Sequence, residues 1–172
     1  MNNTRIKKLT FTAIILALCI IGANIKLMGS VALDSFPAFF GAVALGPVAG
    51  AFLGLFGHLF SAMLSGFPLT LPVHLIIGFC MMITMAVYGF IRRGGRSMKW
   101  QYIILSDVVG YILNVPLELV LLYPILKQTV YVYFVPLTIA SIVNIIIAEV
   151  VYILLKSRFP RIINLFRSEE GN

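Results

Sequence analysis

Ala32-Leu33-Asp34-Ser35-Phe36-Pro37-Ala38-Phe39-Phe40-Gly41-Ala42-Val43-Ala44-Leu45-Gly46-Pro47-Val48-Ala49-Gly50-Ala51-Phe52-Leu53-Gly54-Leu55-Phe56-Gly57-His58 is the stretch on which the fold turns. It is apolar almost throughout, yet it carries an acid near one end, a histidine at the other and Leu45-Gly46-Pro47 between them. Such a segment either crosses a bilayer twice or breaks inside one. The topology of the whole chain follows from that choice.

Composition sets the solvent. Of the 172 residues 60% are hydrophobic and only 11% charged, and the mean hydropathy is +1.03, which no domain with a water-facing surface sustains. The chain therefore reads as an integral membrane protein. A hydrocarbon core about 30 Å thick takes about 20 helical residues to cross. Long apolar blocks cover Leu9–Ile25, Leu33–Ser65, Leu71–Ile91, Tyr102–Tyr123 and Val132–Leu155.

The basic residues decide how often the second block crosses. Arg5, Lys7 and Lys8 precede the first block, Arg92, Arg93, Arg96 and Lys99 follow the third, and Lys156, Arg158, Arg161 and Arg167 follow the last. Only Lys26 and Lys127 lie elsewhere. A single crossing by 33–65 would put the 92–99 cluster on the side opposite the N-terminus; two crossings put all three clusters in the cytoplasm, as the positive-inside rule requires. The same rule accounts for the net charge of +7 without nucleic acid. The expectation is an all-α integral membrane protein, a six-helix bundle forming a single membrane domain with N- and C-termini cytoplasmic. Its spans run over about 9–25, 36–46, 47–65, 72–91, 101–123 and 133–156. The second, of about 11 residues, is short and must be shielded by its neighbours.

The first block lacks a small-x-small cleavage pattern after it and is expected to stay as a span. Ala13 and Ala17 share one of its faces, either packing against another span or forming an outward, partner-facing ridge. Cys19 and Cys80 lack metal or redox spacing and read as buried fillers. The segment 24–35 is too apolar to float in water and too irregular to span; Gly29 permits a turn, and Asp34 with Ser35 either caps the next helix or meets a ligand. Pro37 suits an early helical position. After the turn at Leu45-Gly46-Pro47, Gly46, Gly50, Gly54, Gly57, Ser61 and Ser65 recur at helical steps as a small-residue ridge that lets this span sit deep in the bundle.

The polar groups fall in the outer half. His58 lies beside the ridge, bonding a carbonyl or lining a pocket. Gly66-Phe67-Pro68-Leu69-Thr70-Leu71-Pro72-Val73-His74 is a stiff apolar loop that reads as a lid, with His74 at the interface or against ligand. Asp107, Gly110, Tyr111, Asn114 and Glu118 form one stripe on the fifth span, where Pro116 opens the backbone ladder. Asn114 and Glu118 are the better ligand candidates; Asp107 lies lower and braces helices. Lys127, Gln128, Tyr131 and Tyr133 suit an aromatic belt and pocket rim. Ser141 and Asn144 repeat the stripe, and Glu149 sits lower, packing or reaching Asp107 through water. The Arg92–Lys99 loop reads as a topology signal, Arg158-Phe159-Pro160-Arg161 as the end of the last span, and 168–172 as a frayed end.

No phosphate-binding loop, nucleophile elbow or H-E-x-x-H occurs. His58, His74 and Glu118 come from separate elements without two-histidine helical spacing, so no metal is assigned. A small membrane enzyme using His58 and Glu118 is the alternative of another class. Polar groups gathered beneath apolar, proline-stiffened outer loops describe instead a capture pocket opening outward.

The basic N-terminus leading into Ala13-x-x-x-Ala17, the loop ending Val31-Ala32-Leu33-Asp34-Ser35-Phe36-Pro37-Ala38, and Leu45-Gly46-Pro47-x-x-Gly50-Ala51-x-x-Gly54-x-x-Gly57 resemble the substrate-binding S component of energy-coupling factor (ECF) vitamin transporters. The resemblance is strongest over residues 9–75. It implies a multi-pass protein of the prokaryotic plasma membrane, without cofactor or enzymatic activity, that binds a vitamin or precursor. It further implies docking, through the Ala13/Ala17 face, on the transmembrane coupling subunit EcfT bearing two ATPase subunits. The run Gly29-Ser30-Val31-Ala32-Leu33-Asp34-Ser35, followed by Gly57-His58-Leu59-Phe60-Ser61-Ala62, Gly66-Phe67-Pro68-Leu69 and His74-Leu75, is most similar to the α-ribazole (CblT) group linked to cobalamin-precursor salvage. Pantothenate, a pyrimidine or pyridoxine precursor, a queuosine precursor and cobalamin are the alternative cargoes. The expected ligand-contacting set is Asp34, Ser35, His58, Phe67, His74, Tyr111, Asn114, Glu118 and Asn144.

Overall fold

The computed structural model describes residues 3–24, 26–28, 31–32, 34–93 and 96–167. Helix α1 spans Asn3–Gly22, α2 Phe36–Leu45, α3 Pro47–Leu64, α4 Leu71–Ile91, α5 Trp100–Ile112, α6 Glu118–Leu126, α7 Thr129–Arg158 and α8 Pro160–Arg167. Four helical stretches, Pro47–Leu64, Leu71–Ile91, Trp100–Leu126 and Thr129–Arg158, are long and apolar enough to cross a membrane. The 24–35 segment departs from the purely helical expectation: strands β1, Lys26–Met28, and β2, Val31–Ala32, pair antiparallel with Lys26 opposite Ala32 and Met28 opposite Val31. The expected turn at Gly29 and the expected frayed end at 168–172 lie outside the described residues.

Helix α2 is the centre of the bundle. From Pro37 to Leu45 every residue except Phe40 is buried, and the helix packs on α1, α3, α4 and α7. Its ten residues rise only about 15 Å, so it cannot cross a bilayer alone and depends on that cladding. Gly46 ends it and opens α3 at φ 94°, a conformation that favours glycine, and Pro47 supplies the first residue of α3, where a missing N–H costs little. Along α3 the ridge is buried at Gly50, Gly54, Gly57 and Ser61. A Cβ on Gly54 would stand 2.6 Å from the carbonyl oxygen of Met81, so α3 and α4 meet backbone to backbone there. Helix α1 packs through Ile15 and Cys19, while Ala13 and Ala17 are exposed.

Between α5 and α6 the backbone widens into a π turn over Leu113–Leu117 around Pro116, whose ring removes an amide hydrogen from the ladder. The stretch from Trp100 to Leu126 thus runs as one span with a defect in it. Helix α7 is longer than its apolar block, and α8, which the sequence gives no apolar block for, turns back after Phe159 to bury Ile163 against α1, α2 and α7.

Arg92 corrects the reading of 92–99 as topology signal alone. It is 0% exposed. Its Nη1 and Nη2 donate to Glu149 Oε1 and Oε2 at 2.5 and 3.0 Å, its Nε and Nη2 to the Ser97 carbonyl at 3.0 and 2.6 Å, and Nη1 also to Ser106 Oγ at 3.2 Å. Burial alone would lower the guanidinium's pKa; the bonds to Glu149 more than offset this and raise it. The phenol of Tyr88 stands 2.7 Å from Asp107 Oδ1 and 2.5 Å from Glu149 Oε1, taking the place of the expected water between the two acids. One clamp therefore joins α4, the 97–99 turn, α5 and α7.

Two outcomes follow from this packing, both read by thermal unfolding in detergent. Gly54→Leu lowers stability by about 1–3 kcal/mol because a carbonyl, not a side chain, must give way, whereas Val48→Ala, at an exposed site, leaves it unchanged. Arg92→Met costs roughly 3–5 kcal/mol by stranding Glu149, Arg92→Lys does not restore the paired bonds, and Arg92→Met with Glu149→Met recovers most of the loss.

Candidate functional site

The half of the bundle away from Arg92 holds a cavity of about 830 Å³ including its open mouth. It exists where α2 begins rather than continues. Asp34 and Ser35 lie at that end; α3 contributes His58, α4 His74, the π turn and α6 Asn114 and Glu118, and α7 Ser141 and Asn144. Pro68 and Leu69 of the 65–70 loop, with Ile77, Met81, Leu119, Leu137 and Tyr133, complete an otherwise apolar wall.

Most of the polar groups are occupied by the protein itself. Ser35 Oγ donates to Asp34 Oδ1 at 3.0 Å. Burial pushes the Asp34 carboxyl above its ordinary range, and hydrogen bonds from Ser61 and Ser35 oppose that rise. Capping of α2 by Asp34 or Ser35 does not occur: the Phe36 amide donates to Asn144 Oδ1 of α7 at 2.8 Å, because Asp34 is turned to the two hydroxyls. Asn144 Nδ2 donates to the Ala140 carbonyl at 2.9 Å, and Asn114 Nδ2 to Ser141 Oγ at 3.0 Å.

The histidines meet each other. His58 Nε2 and His74 Nδ1 are 3.2 Å apart, and the Leu69 amide donates to His74 Nε2 at 3.4 Å. An Nε2 that accepts carries no hydrogen, so His74 is neutral with its proton on Nδ1 and donates to His58. His58 Nε2 therefore accepts, and its own hydrogen is on Nδ1. This arrangement fixes the 65–70 loop over the cavity, helped by Phe67 N–H to the Ala62 carbonyl at 2.9 Å. Phe67 and Thr70 hold φ of 49° and 78° there, a strained geometry that the surrounding bonds maintain.

Glu118 is 4% exposed and has no hydrogen-bond or ionic partner among the described residues. No fully enclosed side-chain nitrogen or oxygen among them lacks a partner, so the Glu118 carboxyl opens into the cavity it lines.

Two expected contacts fall outside this lining. Tyr111 is turned to α7, its hydroxyl 3.2 Å from Thr138 Oγ1. Phe67 stacks obliquely on the His74 ring, centroids 5.8 Å apart, behind the wall instead of in it. Asp34, Ser35, His58, His74, Asn114, Glu118 and Asn144 are brought together. Met81, Ile77, Leu119 and Leu137 are added to them; nothing in an apolar helix marks which of its aliphatic residues will face a cavity. No cluster of three or more metal-ligating side chains occurs among the described residues, and the two imidazoles bond one another.

No curated protein and no solved structure matches the chain. The family model described as ECF transporter, substrate-specific component, matches residues 7–156. Proteins of that family are the substrate-binding part of a transporter, working with a transmembrane coupling subunit and ATPase subunits; this sets aside the enzyme built on His58 and Glu118. With that match across nearly the whole helical region, the chain belongs to the ECF transporter substrate-specific component family.

Proposed function

We propose that the chain crosses a prokaryotic plasma membrane six times with both termini in the cytoplasm, and that its cavity captures α-ribazole from outside for cobalamin salvage. The observation that carries the capture reading is Glu118, a carboxyl buried among apolar side chains with no protein partner among the described residues and an open cavity before it. In lipid such a group is costly until something completes its hydrogen bonding. A riboside supplies hydroxyl donors for Glu118, further hydroxyls for the Asn114–Ser141 pair, and an aromatic base to lie against Tyr133, Met81 and Leu137. Pantothenate, pyridoxine or pyrimidine precursors and queuosine precursors are the same class of cargo, and binding separates them.

The coupling face is Ala13 and Ala17. Helix α1 buries Ile15 and Cys19 and leaves both alanines exposed, so a helix of the coupling subunit EcfT, carrying its two ATPases, can approach the backbone closely there.

Titration of the purified chain with α-ribazole gives saturable binding, and Glu118→Ala weakens it by roughly 10- to 100-fold, the loss of one or two hydrogen bonds. Retention of a different vitamin, with α-ribazole inert, overturns the cargo. Ala13→Trp with Ala17→Trp abolishes uptake and co-purification with the coupling subunit while substrate binding and thermal stability persist; loss of binding and folding together would mean the face packs within the chain.

A further inference from the structure

Charge is distributed unevenly between the two ends of the bundle. The clamp end holds Arg92 and the basic clusters, whereas no lysine or arginine whose side chain is described lines the cavity. What lines it is two carboxyls, Asp34 and Glu118, and two imidazoles whose mutual bond and the Leu69 amide require His74 to be neutral. Asp34 is answered by Ser35 and Ser61. The Glu118 carboxyl has no partner among the described residues and opens into the cavity.

An anion entering this space loses its hydration and finds no cation among the described side chains of the lining to replace it, and an ionised Asp34 or Glu118 repels it. If the carboxyls are protonated, the first penalty stands alone. An uncharged or cationic molecule escapes the repulsion and the uncompensated loss of an anion's hydration, and it gains if it presents a donor to Glu118.

We propose that the cavity selects its ligand by charge and by hydrogen-bond polarity. It takes an uncharged or cationic molecule that donates to Glu118, and it rejects carboxylates and phosphate esters. This selection rests on the reading of the cavity as the substrate site, but not on α-ribazole being the substrate. Among the cargoes above it excludes pantothenate and any phosphorylated precursor, because each carries a full negative charge.

The test has two parts on the full-length purified chain. Small molecules retained through purification are identified by mass spectrometry, and the chain is titrated with α-ribazole and its 5′-phosphate and with panthenol and pantothenate, each pair differing in one anionic group. The retained molecule is expected to be neutral or cationic, and any neutral member that binds does so at least about 100-fold more tightly than its anionic partner, the scale of a buried like-charge or unpaired-charge penalty. A retained carboxylate or phosphate ester, or equal binding within a pair, overturns charge selection. Equal binding of α-ribazole and its phosphate would do so while leaving the α-ribazole reading intact; a neutral retained molecule with α-ribazole inert would do the reverse.

Discussion

A polar side chain inside this bundle has no water to turn to, and the structure is arranged around that constraint. Thr12 and Thr84 donate back to the carbonyls of Lys8 and Cys80, one turn earlier in their own helices. Asn144 accepts from one backbone and donates to another. Arg92, the largest fully buried side chain, has its guanidinium bonded to a carboxylate, a carbonyl and a hydroxyl. Against these, Glu118 has no partner among the described residues, and it lies at the cavity. The same requirement that holds the fold together thus separates polar groups that brace from polar groups that receive.

The cavity has a geometric cause. A ten-residue helix rises about 15 Å, half the roughly 30 Å of hydrocarbon that a full span covers. With α2 at the centre of the bundle and packed low, beside the close approach of Gly54 to Met81, the upper half of the central column is left without a helix. The chain covers that space with its loops and lines it with the upper parts of α3, α4, α6 and α7. Lengthening α2 by two turns would fill it. The short helix, which looks like a defect in a membrane protein, is what leaves room for the cavity.

Much of this was legible in the sequence because periodicity and charge are local signals. The glycine ridge could be read at three- and four-residue steps, Pro116 announced a break in the ladder, and the Asn114–Glu118 stripe could be assigned to one face. What escaped depends on which elements meet. Arg92 stands in a run of four basic residues and looks solvated; only the approach of Glu149, 57 residues later, makes it a buried ion. Asn144 lies 108 residues from the amide it caps. Asp34 and Ser35 had the right chemistry for that cap and the right position, yet Ser61 drew the carboxylate away. Tyr111 shares a helical face with Asn114, but its long side chain carries the hydroxyl to Thr138 instead of the cavity. Helix α8 was missed because eight residues of mixed basic and apolar character make no span and bury only one side chain deeply among those described.

Helix α7 joins the two halves. Glu149 anchors it to the clamp, and Asn144, five residues and about 7.5 Å of helix rise earlier, caps α2 and forms part of the cavity floor. The floor is therefore tied through one rigid element to the most heavily bonded place in the molecule. The roof has no such tie: the 65–70 loop is held by single backbone bonds and by the imidazole relay, and it keeps Phe67 and Thr70 in strained conformations. Opening the cavity from above breaks a few neutral hydrogen bonds and releases strain, whereas opening it from below would separate a buried ion pair. The asymmetry makes the loop side the easier of the two to open and leaves the clamped side closed while α4, α5 and α7 stay together.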